Sequence, residues 1–281
     1  MPGTIQIKSN KRKWREAITK EFQNMEKRKV WKIFNRNDIP AGRRCVKHKW
    51  VWNIKRNGIF RARLVACGYS QIAGIDYDEN FAPVINDVTY RILLIVKILW
   101  QLEGVIVDVE AAFLHGDLDG REIYMDAPEG LNAKDGECVL LQKTIYGLVQ
   151  SARQFYKKLV KILRLLGFKG GYSDPCLMTR RNHLGVVFIA LYVDDCLCIG
   201  HDDAIKNAIK GMESQGLTLK VDNELKDYLS CEIVFSEDNK EAWIGQPHLI
   251  KNLSNKFHKK VKSSQTYRTP GTPGVGIVRP K

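Results

Sequence analysis

The sequence predicts an α+β fold in which helices pack on an antiparallel sheet. Three observations carry it. Residues 48–55 and 59–67 are two extended runs joined by Asn57-Gly58, a strong short-range hairpin signal. Residues 186–193 and 196–199 are apolar strands separated only by Asp194-Asp195. Around both, apolar residues recur at helical spacing. With 281 residues, 44% of them hydrophobic, the chain suffices for one large domain or two modest ones.

Each element has its own signal. Residues 11–29 place Trp14, Ile18, Phe22 and Met25 along one face of a helix, with basic residues between. The first hairpin alternates around Trp50, Trp52 and Ile54, and Lys55, Arg56, Arg61 and Arg63 decorate it. Asp87 stands where it can cap a helix running to about Leu102 through Ile92, Leu93, Val96 and Leu99. Residues 104–109 read as a buried strand, and 151–166 as a second long helix that stops at Gly167. After the second hairpin come a helix near 203–214, short strands near 217–220 and 229–235, and a helix at 246–257. The Pro/Gly-rich end of the sequence reads as a linker, and no internal repeat is present.

The net charge of +14 is unevenly spread. Residues 1–70 hold 19 Lys/Arg against 4 Asp/Glu, and residues 247–281 hold 8 Lys/Arg and no acid. The centre, 71–246, is acidic, with 27 acids against 18 bases. Basic flanks around an acidic middle suit a protein that grips a polyanion at its edges and keeps carboxylates for metal. The plainer alternative is a solvated basic surface with a tail. Seven cysteines, with no C-x-x-C pair, indicate neither a disulfide framework nor a zinc site and fit a reducing compartment. The start lacks the apolar stretch of a signal peptide, and no apolar run approaches the roughly 20 residues of a membrane span. The expected setting is intracellular, with no membrane partner.

Asp194 and Asp195 interrupt an apolar sequence, and an ionised carboxylate inside a core is costly. At a hairpin turn they sit instead at the lip of the sheet. Adjacent strand residues point to opposite faces, so a distorted turn is needed for both to serve one site. An Asp-rich turn with no chemistry is the alternative. Asp108, closing the apolar strand 104–109, weighs against it. Two strands that each deliver acid to one end of a sheet make a site for hard divalent cations, two of which clamp the attacking and leaving oxygens of a phosphoryl transfer.

The sequence resembles the reverse transcriptase of copia-type LTR retrotransposon polyproteins over nearly its whole length. The resemblance rests on five blocks in the family's order: 47–84, 107–130, 145–156, Tyr192-Val193-Asp194-Asp195, and 217–233. It implies a right-hand polymerase. Fingers would occupy 1–103, a palm 104–245 with an intervening fingers segment at about 120–150, and an incomplete thumb or linker 246–281. It implies an RNA-directed DNA polymerase that adds deoxynucleotides to a primer 3′-OH, with two Mg2+ ions (Mn2+ as a substitute), an RNA template and a DNA primer as partners. The setting would be a cytoplasmic virus-like particle or the nucleus. By the same resemblance Asp108, Asp194 and Asp195 are the catalytic acids, joined as metal ligands by the Val109 carbonyl. Phe113 crowds the sugar 2′ position, although core packing is its plainer reading. Gln150 and Arg153 belong to the nucleotide-supporting block, or else simply start a helix. Lys55, Arg61 and Arg63 are candidates for the triphosphate, or else an exposed hairpin face. Lys220 stands near the departing pyrophosphate, or else is a surface lysine.

Some positions depart from the family. Val149, Ala152 and Phe155 stand where Lys, Pro and Trp are usual, and Tyr228–Cys231 replaces an aromatic-Leu-Gly-Ile run. No protease, integrase or ribonuclease H pattern is present, as in a polyprotein fragment or a degraded copy. Two rival readings remain: an inactive relic that only binds nucleic acid, and another two-metal enzyme with a palm-like sheet, such as a nuclease or cyclase.

Overall fold

Residues 10–55 and 58–257 are described by a computed structural model, so Arg56 and Asn57, expected in the first hairpin, and the expected C-terminal linker lie outside them. The chain divides into two compact units, 1–225 and 226–281. The first unit runs α1 (Lys11–Lys27), β1 (Trp31–Asn35), β2 (His48–Ile54), β3 (Phe60–Ala66), α2 (Asp87–Leu99), β4 (Glu103–Val109), β5 (Tyr124–Asp126) and β6 (Glu137–Leu141). It continues with α3 (Ser151–Leu165), β7 (Lys169–Gly170), β8 (Leu177–Asn182), β9 (Gly185–Tyr192), β10 (Asp195–Gly200), α4 (Asp202–Ser214) and β11 (Leu219–Asp222). The second unit holds β12 (Asp227–Tyr228), β13 (Cys231–Phe235), β14 (Ala242–Gly245) and α5 (Pro247–Phe257).

The first unit is α+β, with a six-stranded sheet in the order β11-β4-β10-β9-β8-β7, a three-stranded sheet β1-β6-β5 and the hairpin β2-β3. All their ladders are antiparallel. In β10, Cys196 to Ile199 are fully buried although successive residues face opposite sides. Both faces of that strand are therefore covered; α4 packs on β9 and β10, and α2 on β10. The second unit carries its own antiparallel sheet, β12-β13-β14.

The expected helices form, with shifted ends. Asn86, not Asp87, caps α2: its Oδ1 accepts the Val88 N–H at 2.9 Å, and Asp87 sits in the first turn. That helix ends at Leu99, short of Leu102, because Gln101 takes φ 50 and turns the chain into β4. The stop after α3 follows the sequence signal. Gly167, at φ 86, donates to the Arg164 carbonyl, and Phe168 donates to Leu163, a Schellman cap. The second hairpin also differs in detail. Its turn is Val193-Asp194, and Asp195 already pairs with Tyr192 as the first residue of β10.

Strands β1, β5, β6, β7, β8, β12 and β14 have no counterpart in the local signals, and the strand expected at 229–235 begins only at Cys231, after Leu229 and Ser230 turn the chain at φ 53 and 63. The β1 partner lies far away in sequence, with Trp31 opposite Leu141. Such pairings depend on long-range packing, which local periodicity does not encode. Residues from 25–66 and 114–148 share one core, including Met25, Val46, Leu64, Leu114, Met125 and Val139. α1 covers the first hairpin, where Trp14 packs edge-on against Trp52 at 5.2 Å and Phe60 at 4.6 Å.

Candidate active site

The ends of β4 and β10 bring two of the three acids together. Asp195 is the register partner of Asp108, and Lys220 on β11 is the partner of Asp108 on its other side. Directly opposed residues project to the same face, so Asp195, Asp108 and Lys220 stand in a row across three strands. The Val109 N–H donates to the Asp194 carbonyl at 3.0 Å. The neighbouring Asp108–Asp195 pair is thus of the non-hydrogen-bonded kind, in which Cα atoms approach to about 4.5 Å and side chains come closest.

Asp194 itself lies in the two-residue turn. Val193 before it takes φ 55, a left-handed conformation that a β-branched residue rarely adopts. Strain of this kind costs about 1–3 kcal/mol and persists only where surrounding structure enforces it.

All three acids are half-buried. Burial pushes the Asp195 carboxyl up to about 6, and the charges of Asp194 and Asp108 add to the effect. Asp108 is raised by burial and by Asp194, and is partly relieved by Lys220 and Arg61. Among the described residues, no group of three or more His, Cys, Asp or Glu side chains closes into a metal cage by itself. The donor chemistry nevertheless fits a hard cation. Asp108 and Asp195 face each other with the charge of Asp194 acting on both, and magnesium is usually held by one or two carboxylates with waters and substrate phosphates completing the shell. The Val109 backbone lies at the same rung of the ladder as Asp194, and its side chain is buried.

The first hairpin supplies positive charge. Along β3, Ala62 and Leu64 are buried while Arg61 and Arg63 lie half-exposed on the other face. The Arg61 charge reaches Asp108, and the Arg63 guanidinium stacks over the Tyr146 ring at 4.7 Å. Lys55 lies at the exposed end of β2, where its N–H donates to the Ile59 carbonyl. Phe113 sits in a short 3-10 helix, Ala112–His115, entered through Ala111 at φ 53. Its half-buried ring meets Tyr146 edge-on at 5.2 Å.

Gln150 and Arg153 bond to the 71–81 segment. Gln150 is 3% exposed; its Nε2 donates to the Asp76 carbonyl at 2.9 Å and its Oε1 accepts from Gln71 Nε2 at 3.0 Å. Arg153 pairs with Glu79 and donates to the Phe81 carbonyl. Both pin the 71–81 segment to the start of α3. With Asp76, Asp78, Asp119 and Lys157 they line a cavity of about 240 Å³, none of whose walls is Asp108, Asp194 or Asp195. Tyr146 is the residue that sequence reasoning passed over. The one available signal was its place in Ile145-Tyr146-Gly147, at the start of the 145–156 block.

The chain is similar to known proteins over most of its length. The family model for reverse transcriptase (RNA-dependent DNA polymerase) matches residues 28–270. The chain is 32% identical over 263 residues to the retrovirus-related Pol polyprotein from transposon TNT 1-94 of Nicotiana tabacum, covering 91% of this chain and 19% of that protein. It is 32% identical over 229 residues to the corresponding polyprotein from transposon RE1 of Arabidopsis thaliana, covering 78% of this chain and 15% of that one. It is 26% identical over 283 residues to the truncated transposon Ty1-A Gag-Pol polyprotein of Saccharomyces cerevisiae, covering 95% of this chain and 23% of that one. The chain thus spans less than a quarter of the length of these relatives. Among solved structures, a foamy viral protease-reverse transcriptase in complex with double-stranded DNA aligns at TM-score 0.43 and 11% identity, over 89% of this chain and 37% of that one.

Proposed function

The chain belongs to the reverse transcriptase (RNA-dependent DNA polymerase) family, and on that premise we propose that it is the polymerase portion of a copia-type retrotransposon polyprotein. It extends a DNA primer 3′-OH with deoxynucleoside triphosphates on an RNA template, inside the cell, in a virus-like particle or the nucleus. The observation that supports this most directly is the register that sets Asp108 opposite Asp195, one residue from the strained turn carrying Asp194.

The right-hand division follows the same reading: fingers at 1–103 and about 120–150, palm at 104–245, start of a thumb at 246–281. Asp108, Asp194, Asp195 and the Val109 carbonyl would hold two divalent cations, Mg2+ first and Mn2+ as a substitute. When bound, these supply the charge that lowers the pKa of the 3′-OH and steadies the triphosphate. Arg61, Arg63 and Lys55 face the triphosphate from the hairpin as charge-assisted donors. Lys220, beside Asp108, offsets negative charge where pyrophosphate departs. Phe113 bars a ribose 2′-OH by its bulk. Gln150 and Arg153 belong to the block that supports the incoming nucleotide, and they also hold the 71–81 segment against α3.

Primer extension on an RNA template with Mg2+, comparing the wild type with Asp194→Asn, tests the reading. Deoxynucleotide incorporation by the wild type and none by the variant is the expected result. Cleavage of the template without extension would point to a nuclease. Template binding with no chemistry in either protein would leave an inactive relic.

A further inference from the structure

The segment 144–147 is clamped between the first hairpin and the short helix that carries Phe113. On one side, the Tyr146 carbonyl accepts the Ala66 N–H at 2.8 Å. Next to it, Gly147 at φ 85 lies so close to β3 that a Cβ there would stand 2.2 Å from the Ala66 oxygen. On the other side, the Thr144 hydroxyl donates to the Phe113 carbonyl, and the Thr144 N–H donates to Gly116 at 3.0 Å. Between these two anchorages the Tyr146 ring is covered by Arg63 at 4.7 Å and abuts Phe113 at 5.2 Å, with an interplanar angle of 76°.

We propose that Tyr146 is a positioning residue for sugar selection: its ring, held by Arg63 of the hairpin, fixes the Phe113 ring at the place where it excludes a 2′-OH. The inference rests on the polymerase reading and on Phe113 as the excluding side chain. An edge-to-face aromatic contact is directional, so it restrains where a half-buried ring points as well as filling space. An aliphatic side chain at 146 fills the volume and lets Phe113 turn. Because the Tyr146 backbone is bonded to β3, a change in the hairpin as its arginines engage a triphosphate would pass through this ring to Phe113. Discrimination would then be strongest once the nucleotide is bound.

The test is steady-state primer extension with matched deoxy- and ribonucleoside triphosphates, with kcat and KM measured for each. Wild type, Tyr146→Phe, Tyr146→Leu and Phe113→Val are compared, with thermal unfolding as a check on folding. Phe113→Val should admit ribonucleotides. Tyr146→Leu should raise the ribo-to-deoxy ratio of kcat/KM by about three- to tenfold, the factor that the loss of one aromatic pair corresponds to. Tyr146→Phe, which keeps the ring, should restore the wild-type ratio. A general loosening of the fold lowers use of both substrates alike and leaves the ratio where it was. If Tyr146→Leu unfolds below the assay temperature, Tyr146→Met takes its place under the same expectation. A ratio unchanged in the ring-less variant while Phe113→Val shifts it overturns the role of Tyr146 and leaves the polymerase reading standing. A wild type that extends no primer overturns both.

Discussion

Asp108 and Asp195 face each other across adjacent strands, with Asp194 one residue away, and Lys220 and Arg61 partly offset the charge at Asp108. The metal-free protein therefore carries a built-in repulsion, which has a pH signature. The Asp195 carboxyl is raised from 3.8 to about 6 in the fold, so the folded state binds its proton more tightly than the unfolded chain does. The stability this contributes is complete below about pH 4 and is lost as pH rises through 6. In EDTA, the thermal midpoint should fall across that interval, and Asp195→Asn should flatten the fall. A wild-type midpoint that rises through the same interval would contradict the sign. Added Mg2+ should raise the wild-type midpoint at neutral pH, since a ligand bound only by the folded state stabilises it. It should do so much less in Asp108→Asn. In primer extension, Asp108→Asn and Asp194→Asn should each lose on the order of 10³-fold or more, because each removes charge that stabilises the transition state by several kcal/mol. Both should still fold, and normal extension by either would remove the metal-site assignment.

Elements position these residues through a few close approaches. The segment 144–147 can lie against β3 only because residue 147 is a glycine: φ 85 and the nearby Ala66 oxygen leave no room for a Cβ. Gly147→Ala should destabilise the first unit by about 2–4 kcal/mol, combining a strained backbone with overpacking. Urea unfolding measures it, and a change under 1 kcal/mol would mean that the segment shifts freely away from the hairpin. At α2 the Asn86 cap is a milder case. Asn86→Ala should cost about 1 kcal/mol by the same assay, whereas Asp87→Ala, which loses only a charge in the first turn and an exposed pair with Arg91, should cost well under that.

At the scale of the whole molecule, the surplus of positive charge lies toward the two ends of the sequence. Binding of an RNA–DNA hybrid should weaken steeply with salt, each neutralised phosphate adding a slope of about −0.9 in log affinity against log salt for a DNA duplex, and about −0.7 for single strands. Filter binding from low to moderate salt measures it; a flat response would mean that the basic flanks do not touch the backbone. The sequence by itself determined the α+β class, the two hairpins, the main helices and the three acids, because each rests on a local rule. Periodicity marks helix faces, Asn-Gly and Gly mark turns and stops, and a charge inside an apolar run must find a reason to be there. Only the tertiary structure decided that Asp195, not Asp194, stands opposite Asp108, since register depends on which residues a turn consumes, and a one-residue slip reverses every face. It also decided that β1 pairs with β6 more than a hundred residues away, that Gln150 spends its amide on the 71–76 loop, and that Tyr146 lies between Arg63 and Phe113. These are contacts between distant segments, and they exist only once the common core has closed around them.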